Sequence, residues 1–547
     1  MKTRILNEKI PEDIAVAGEI LRAGGVVAIP TETVYGLAAN ALDEFAVRKI
    51  FGAKGRPADN PLIVHVADIS EISPLVSEIP KAAVQLAEHF WPGPFTMILP
   101  KSPIVPKITT GGLETVAVRV PDNETARAVI RVAGVPLAAP SANTSGKPSP
   151  SKFSHVLEDM NGKVDAIVEG EDCRVGVEST VVSLAGKTPC LLRPGAVTVT
   201  EIEAVVGAVE IDPAVIGKLE DEAKASSPGM KYKHYAPKAN ITIIDASPEE
   251  YIKYVNGKEN AHALCFEEDK KHLNKPAVTF GGRYDGAEQA RRYFEALYEL
   301  DELGAKQVYA RIPSKSGIGL AVYNRLVRSA GFQIINPKGY HIIGMTGASG
   351  SGKTTIAKAF ETLGCAVVDC DKLSKSPGVY DSDCLRELAA EFGADIIAED
   401  GTLNRRLLAE RAFVSAKKKK KLENIVFPRI LIAMQEKINQ ALEAGKRIIV
   451  VDAPTLFEAG FDAICSRIIA VTSTKEEKIK RIMNRDGLSQ KEAEKRLSAQ
   501  HEDSFYTERA DHIVSGSGGY DLVKRLKPLV NGLFIKCTEE NEEKGET

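Results

Sequence analysis

HIIGMTGASGSGKTTIAKAF, residues 341–360, is the stretch on which the reading of this 547-residue chain turns. Within it, Gly347-Ala-Ser-Gly-Ser-Gly-Lys353-Thr354 fits G-x-x-x-x-G-K-[ST], with an apolar run at 341–345 before it and a helical pattern after it. Strand, glycine-rich loop and helix in that order make a phosphate cradle. The glycines let backbone N–H groups turn inward, and the helix offers the positive end of its dipole to the same anion. Gly347, Ala348, Ser349, Gly350, Ser351, Gly352, Lys353, Thr354 and Thr355 are therefore the expected ATP contacts, with Lys353 on the β/γ oxygens and Thr354 on Mg²⁺. The helix should bury Ile356, Ala359, Phe360 and Leu363 and stop at Gly364.

Toward the C-terminus, the apolar run 365–368 ends in Asp369-Cys370-Asp371, and a further run, 447–451, ends in Asp452. In the parallel sheet that carries such loops, these strand ends lie near the cradle. Transfer of a γ-phosphoryl group to a hydroxyl needs a carboxylate that orients the acceptor and takes its proton. Only one of Asp369 and Asp371 is expected to face the site, and Asp452 suits a Mg²⁺-bound water.

Over about 341–520 the chain resembles dephospho-CoA kinases, on GMTGASGSGKTT, VVDCDKL, DGTLNRRLLAERAF (400–413), VVDAPTLFEAGFD (450–462) and RIMNRDGLSQKEAEKRLSAQ (481–500). The resemblance implies transfer of the ATP γ-phosphate to the ribose 3′-hydroxyl of dephospho-CoA. It makes Asp371 the base and puts Arg481 and Arg485 in a lid over the phosphates. Two departures stand out: Phe427-Pro428 replaces the family's usual His-Pro, and the usual asparagine of the adenine-side turn is replaced in ADHIVSGSGG (510–519). Lys417 to Lys421 read as a solvated helix end rather than as a patch for CoA phosphates. On the residues alone, another small-molecule P-loop kinase stays open, whereas a guanine-reading N-K-x-D is absent from the sequence.

The front of the chain has no P-loop. Polar and basic residues instead interrupt its apolar runs at turns: Thr31-Glu-Thr33-Val-Tyr35-Gly36, Lys54-Gly-Arg56, Asn60-Pro61, Arg119, Ser141-Ala-Asn143 and Arg193-Pro-Gly195. Four cations with hydroxyl and amide donors near strand ends are what a nucleoside triphosphate and a carboxylate substrate require, although unrelated surface charges would look the same. IPTETVYGLAANA (29–41), KGRPADNPLIVHV (54–66), WPGPFTMIL (91–99), AVRVPD (117–122), PLAAPSANTSGKPSP (136–150), GVESTVV (176–182) and LLRPGAV (191–197) resemble YrdC-like threonylcarbamoyl-AMP synthases. SPGMKYKHYAP (227–237) and GIGLAVYNRLVRSAG (317–331) extend the resemblance to their longer, two-domain members.

This resemblance implies that L-threonine, bicarbonate and ATP are combined into threonylcarbamoyl-AMP with release of pyrophosphate. Other proteins would then transfer the threonylcarbamoyl group to tRNA, with at most weak tRNA contact by this chain. Thr33, His65, Arg119, Ala139 and Ser179 fall on the threonine side. Lys54, Arg56, Asn60, Thr115, Ser141, Asn143, Ser149, Arg193 and Tyr235 fall on the ATP side, with Lys54 and Arg56 central to catalysis and Tyr235 on a lid. A non-catalytic RNA-binding module and a carbamoyl-transfer module of hydrogenase maturation remain the other readings of this half.

Composition bounds both halves. Hydrophobic residues make up 44% and charged residues 27%, enough to bury several cores, and 71 basic against 74 acidic side chains leave a net charge of −3, so anion sites must be local. The eight cysteines contain no C-x-x-C pair and read as reduced thiols. No stretch approaches the ~20 apolar residues of a membrane span, and a cytoplasmic enzyme is expected. The fold class is α/β multidomain. Residues 1–205 form a twisted mixed sheet with helices, 206–239 a linker and lid, and 240–336 a small Rossmann-like accessory domain. Residues 339–535 form a P-loop kinase with a parallel sheet and helical lid, and 536–547 an acidic disordered tail.

Overall fold

The computed structural model of the chain describes residues 2–215, 235–398, 400–517 and 522–542. They divide into two compact units, Met1–Ile244 with Val255–Ile334, and Asp245–Tyr254 with Ile335–Thr547. The first unit opens with the helix Pro11–Arg22, which has a proline in its first turn, Glu12 and Asp13 beside that turn, and Ile14, Ala17 and Leu21 buried along one face. Its strands are β1 (Arg4–Asn7), β2 (Val27–Ile29), β3 (Gly36–Asn40), β4 (Ile63–His65), β5 (Phe95–Pro100) and β6 (Thr115–Arg119), followed by β7 (Leu137–Ala138), β8 (Ala166–Glu169), β9 (Thr180–Ser183), β10 (Cys190–Arg193) and β11 (Glu210–Ile211). They join in one mixed sheet, β1-β8-β2-β3-β7-β4-β6-β5-β9-β10-β11. The register matters for the site: β4 and β6 run parallel with His65 opposite Arg119. Of the 206–239 linker, residues 216–234, and with them most of SPGMKYKHYAP, lie outside the described residues.

A second sheet follows, of β12 (Asn240–Ile244), β13 (Ala261–Cys265), β14 (Ala277–Thr279), β15 (Gln307–Arg311) and β16 (Ile334–Ile335), in the order β14-β13-β15-β12-β16. The β12–β15, β13–β15 and β13–β14 pairs are all parallel, as the α/β reading required. The helix Gly319–Ser329 is buried at every position. It shares a core with Val34 and Val177 of the first sheet's loops.

The last sheet holds β17 (His341–Thr346), β18 (Ala366–Asp369), β19 (Ile448–Asp452), β20 (Arg467–Thr472) and β21 (His512–Ser515), all parallel in the order β18-β19-β17-β20-β21. The glycine-rich loop joins β17 to the helix Lys353–Thr362, which buries Ile356, Ala357, Ala359 and Phe360. Leu363 is only partly buried, because it already terminates the helix. The lid helices Lys475–Asp486 and Gln490–Ser498 are separated by left-handed Gly487, and the second starts with a capping box from Ser489 and Glu492. The final helix runs Leu522–Glu542, into the stretch expected as tail; residues 543–547 lie outside the described ones. The described cysteines are all free thiols, and no helix among the described residues is long and apolar enough to cross a membrane.

Two candidate active sites

In the first unit, a cavity of about 50 Å³ is lined by Thr31, Thr33, Val34, Gly36, Arg56, Leu62, Ile63, His65, Arg119, Ala139, Pro140, Ser141, Glu178, Ser179, Arg193 and Tyr235. Nine of the residues singled out in the sequence meet here: Thr33, Arg56, His65, Arg119, Ala139, Ser141, Ser179, Arg193 and Tyr235. Thr115 begins β6 opposite Pro100 and is not in the wall. Lys54, Asn143, Ser149 and Asn60 also miss the wall, but the first three stand behind it. The Lys54 ammonium donates to the Ser141 and Asn143 carbonyls and to Asn143 Oδ1, and Ser149 Oγ donates to Glu178 Oε1 at 2.5 Å. Small-molecule pockets of proteins run to several hundred Å³, and this cavity is far smaller.

The electrostatics are those of an anion site. Burial, helped by Arg56 nearby, holds the Lys54 ammonium far below the ordinary lysine range, and burial brings Arg56 down to about 10. Arg56, which lines the cavity, has its Nε buried without a hydrogen-bond partner, and an anionic ligand there would supply one. Arg119 donates to Thr33 Oγ1 at 3.0 Å, to the Gly93 carbonyl at 3.1 Å and to Glu32 Oε1 at 2.7 Å, which fixes its guanidinium plane. Arg193 donates to both the carbonyl and the hydroxyl of Ser179. Burial and the neighbouring Arg119 push the His65 imidazole down to about 3, so it is neutral at ordinary pH. Tyr235 closes the pocket in a left-handed backbone conformation (φ 65°). Its ring packs 5.3 Å from Phe294, and its carbonyl accepts from Ser329 Oγ.

In the second unit, two cavities meet at the glycine-rich loop. A cleft of about 460 Å³ is lined by Ser349, Gly350 and Gly352 to Thr355, with the buried Ser351 outside its wall, together with Asp369, Asp371, Asp452, Arg481, Arg485, Arg496 and Gln500. A larger cavity, about 880 Å³, runs between Tyr380, Arg405, Phe413, Lys419, Phe427, Phe461, His501 and Tyr506. Asp371, Pro454 and Gln500 line both. The expectation that only one of Asp369 and Asp371 faces the site is corrected: both do. Positions two apart on a strand share a face, and the chain turns at Asp369, whose Oδ1 caps the short helix Cys370–Leu373 by accepting from Lys372 N, with both carboxylates in the cleft wall.

Lys353 Nζ donates to the loop's own Gly347 and Ala348 carbonyls, and Asp452 and Asp371 partly offset the burial that lowers its pKa. Burial, reinforced by Asp369 and Asp371 and opposed by Lys353, lifts the Asp452 carboxyl to about 6, and its Oδ1 is buried without a hydrogen-bond partner. Arg481 bridges the Gly350 and Gly516 carbonyls, and Arg485 reaches Ser349 Oγ at 3.2 Å. Phe427, the departure noted above, is part of the larger cavity's wall, 6.0 Å from Phe461. Of the five lysines, Lys419 lines that cavity while Lys421 pairs with Glu391 on the surface.

Glu178, Arg496, Gln500 and His501 line these cavities without having been expected there: the first three lie inside stretches that carry the resemblances, and no spacing of their own marks any of the four. Residues 19–195 match the Sua5/YciO/YrdC family described as telomere recombination, 197–331 the threonylcarbamoyl-AMP synthase C-terminal domain, and 341–521 dephospho-CoA kinase. The chain is 48% identical over 346 residues to a threonylcarbamoyl-AMP synthase of Pyrococcus abyssi, covering 61% of this chain and 99% of that one. A solved structure of Sua5 from the same organism, complexed with L-threonine, is 44% identical with a TM-score of 0.56 and covers 61% of this chain and 99% of its own. A dephospho-CoA kinase of Corynebacterium diphtheriae is 34% identical over 185 residues, 34% of this chain and 92% of that one.

Proposed function

Since the chain belongs to the threonylcarbamoyl-AMP synthase family at its front and to the dephospho-CoA kinase family at its back, we propose how its residues divide two ATP-dependent reactions. It is a bifunctional enzyme. One activity forms L-threonylcarbamoyladenylate from L-threonine, bicarbonate and ATP with release of pyrophosphate, for tRNA threonylcarbamoyladenosine modification. The other phosphorylates the 3′-hydroxyl of dephospho-CoA.

In the synthase, Arg119 takes the threonine carboxylate, since its guanidinium is already oriented by Glu32 and the Gly93 carbonyl. Neutral His65, alongside on β4, and Thr33 and Ser179 bound the amino acid without adding charge. Threonine's amine and bicarbonate condense to a carbamate with loss of water. A carbamate oxygen then attacks the α-phosphorus, and the bond to the β-phosphate oxygen breaks as pyrophosphate leaves. Lys54, Arg56 and Arg193 screen the two anions and hold them in line, which is most of what this displacement requires of a protein. The product passes to separate proteins that load tRNA in the cytoplasm; the net charge of −3 agrees with at most weak tRNA contact by this chain.

In the kinase, Lys353, Arg481 and Arg485 stabilise the charge on the transferring phosphoryl group, and Asp371 accepts the 3′-hydroxyl proton. The observation that carries this is the position of Asp371 in the wall of both cavities, where an acceptor in the larger one meets a phosphate in the smaller. The residues fit Mg²⁺: the Thr354 hydroxyl and the unpartnered Asp452 Oδ1 would hold it, the latter through water, and it would supply charge neutralisation at the phosphates. Asp371→Asn is expected to lower CoA formation on the order of 10²–10⁴-fold. Asp369→Asn, which keeps the Oδ1 that caps the helix Cys370–Leu373, should cost far less. Turnover of Asp371→Asn near the wild-type rate, measured with dephospho-CoA and mass spectrometry of the product, would remove Asp371 from this role.

A further inference from the structure

Arg325, fully buried on the helix Gly319–Ser329, is 147 residues from Glu178 in sequence, yet its Nε donates to Glu178 Oε2 at 3.0 Å. Its Nη2 donates to the Glu178 carbonyl at 3.2 Å and its Nη1 to the Pro194 carbonyl. One guanidinium thus ties together the two loops that carry Ser179 and Arg193 into the synthase cavity. The same helix holds the chain on either side of the undescribed segment: Asn324 Nδ2 donates to the Val215 carbonyl, Arg328 to that of Ala214, and Ser329 Oγ to that of Tyr235.

Glu178 itself lines the cavity. It is the one acid in a described wall that also holds Arg56, Arg119 and Arg193, with the Lys54 ammonium behind it. An uncompensated carboxylate there would oppose a polyphosphate. Burial works against its ionisation, yet Arg325, Arg193 and the hydrogen bond from Ser149 outweigh that and keep it ionised.

We propose that Arg325 is a positioning residue of the synthase reaction, by which the accessory domain completes the ATP site from behind. It cancels the charge of Glu178, so that the wall stays net positive toward the triphosphate, and it fixes the loops bearing Ser179 and Arg193. This rests on the reading of the cavity as the ATP site.

The test is steady-state pyrophosphate release by the full chain at saturating threonine and bicarbonate and varied ATP, with CoA formation by the same preparations as the measure of active chain. Arg325→Met is expected to raise KM for ATP about 10–100-fold, the scale of a lost charged hydrogen bond. Glu178→Gln should move it the opposite way, down, because Arg325 is then uncompensated. The double variant should return toward the wild-type KM, and Arg325→Lys, which keeps the charge, should stay closer to wild type than Arg325→Met. KM moved upward by both single variants, or a double variant no better than Arg325→Met, would overturn the proposal. Should Arg325→Met not fold, the direction of the Glu178→Gln shift and the Arg325→Lys value decide it. If instead no variant moved KM for ATP while pyrophosphate release persisted, the placement of ATP in this cavity would be what failed.

Discussion

His65 shows how one buried side chain reports on its surroundings. Its ring is held neutral by burial and by the Arg119 charge, with a folded pKa of about 3 against 6.5 for the free imidazole. As pH falls, the unfolded chain takes the proton first, so the stability this group contributes is complete above pH 6.5 and is lost progressively between 6.5 and about 3. The slope for one such group is about 1.4 kcal/mol per pH unit. His155, lowered to about 4 by burial and Lys152, adds loss of the same sign. Thermal unfolding of the first unit between pH 7 and 5 should therefore steepen below 6.5, and His65→Gln should flatten that decline. An unchanged slope in the variant would mean that His65 is already charged in the folded protein.

At the scale of elements, the glycine-rich loop and the end of the helix after it offer a comparison between two glycines with left-handed backbones. Gly350 (φ 78°) lies so close to the Lys478 backbone that a Cβ would stand 2.6 Å from its carbonyl oxygen, whereas at Gly364 (φ 88°) a Cβ would meet nothing within 4 Å. Gly350→Ala must move the loop and is expected to lower kinase kcat/KM for ATP on the order of a hundredfold, the cost of misplacing phosphate donors by about an ångström. Gly364→Ala should cost only about 1–2 kcal/mol of left-handed strain, visible in unfolding and not in KM. Equal effects of the two on KM would refute the close approach at Gly350.

The strand, loop and helix around this element were legible in the sequence because each has local chemistry: a continuous apolar run, glycines, a helical period. The two-carboxylate face was misjudged: positions two apart on a strand share a face, and Asp369 ends its strand as the cap of the helix that carries Asp371. Arg325 was illegible for a different reason. Its partner is 147 residues away, and no periodicity within 319–329 announces that a cation inside an apolar helix is paired rather than solvated. In the first half, Arg119 and Arg193 were recovered because cations cluster at strand ends, whereas His65 came only from the resemblance of KGRPADNPLIVHV and Glu178 was not singled out at all.

For the whole molecule, the two reactions share ATP and no intermediate, and among the described residues none lines both the front cavity and the kinase cavities. Near-neutral net charge is compatible with two anion sites because their cations are gathered locally, at Arg56, Arg119 and Arg193 in one and at Lys353, Arg481 and Arg485 in the other. Each site should therefore fail alone. The most direct measurement is a crossed assay on the purified full-length chain and two variants, following threonine- and bicarbonate-dependent pyrophosphate release and CoA formation in parallel. Arg56→Ala is predicted to abolish the first and leave the second at the wild-type rate, and Asp371→Asn to do the reverse; loss of both activities in either variant would contradict two separate active sites on one chain.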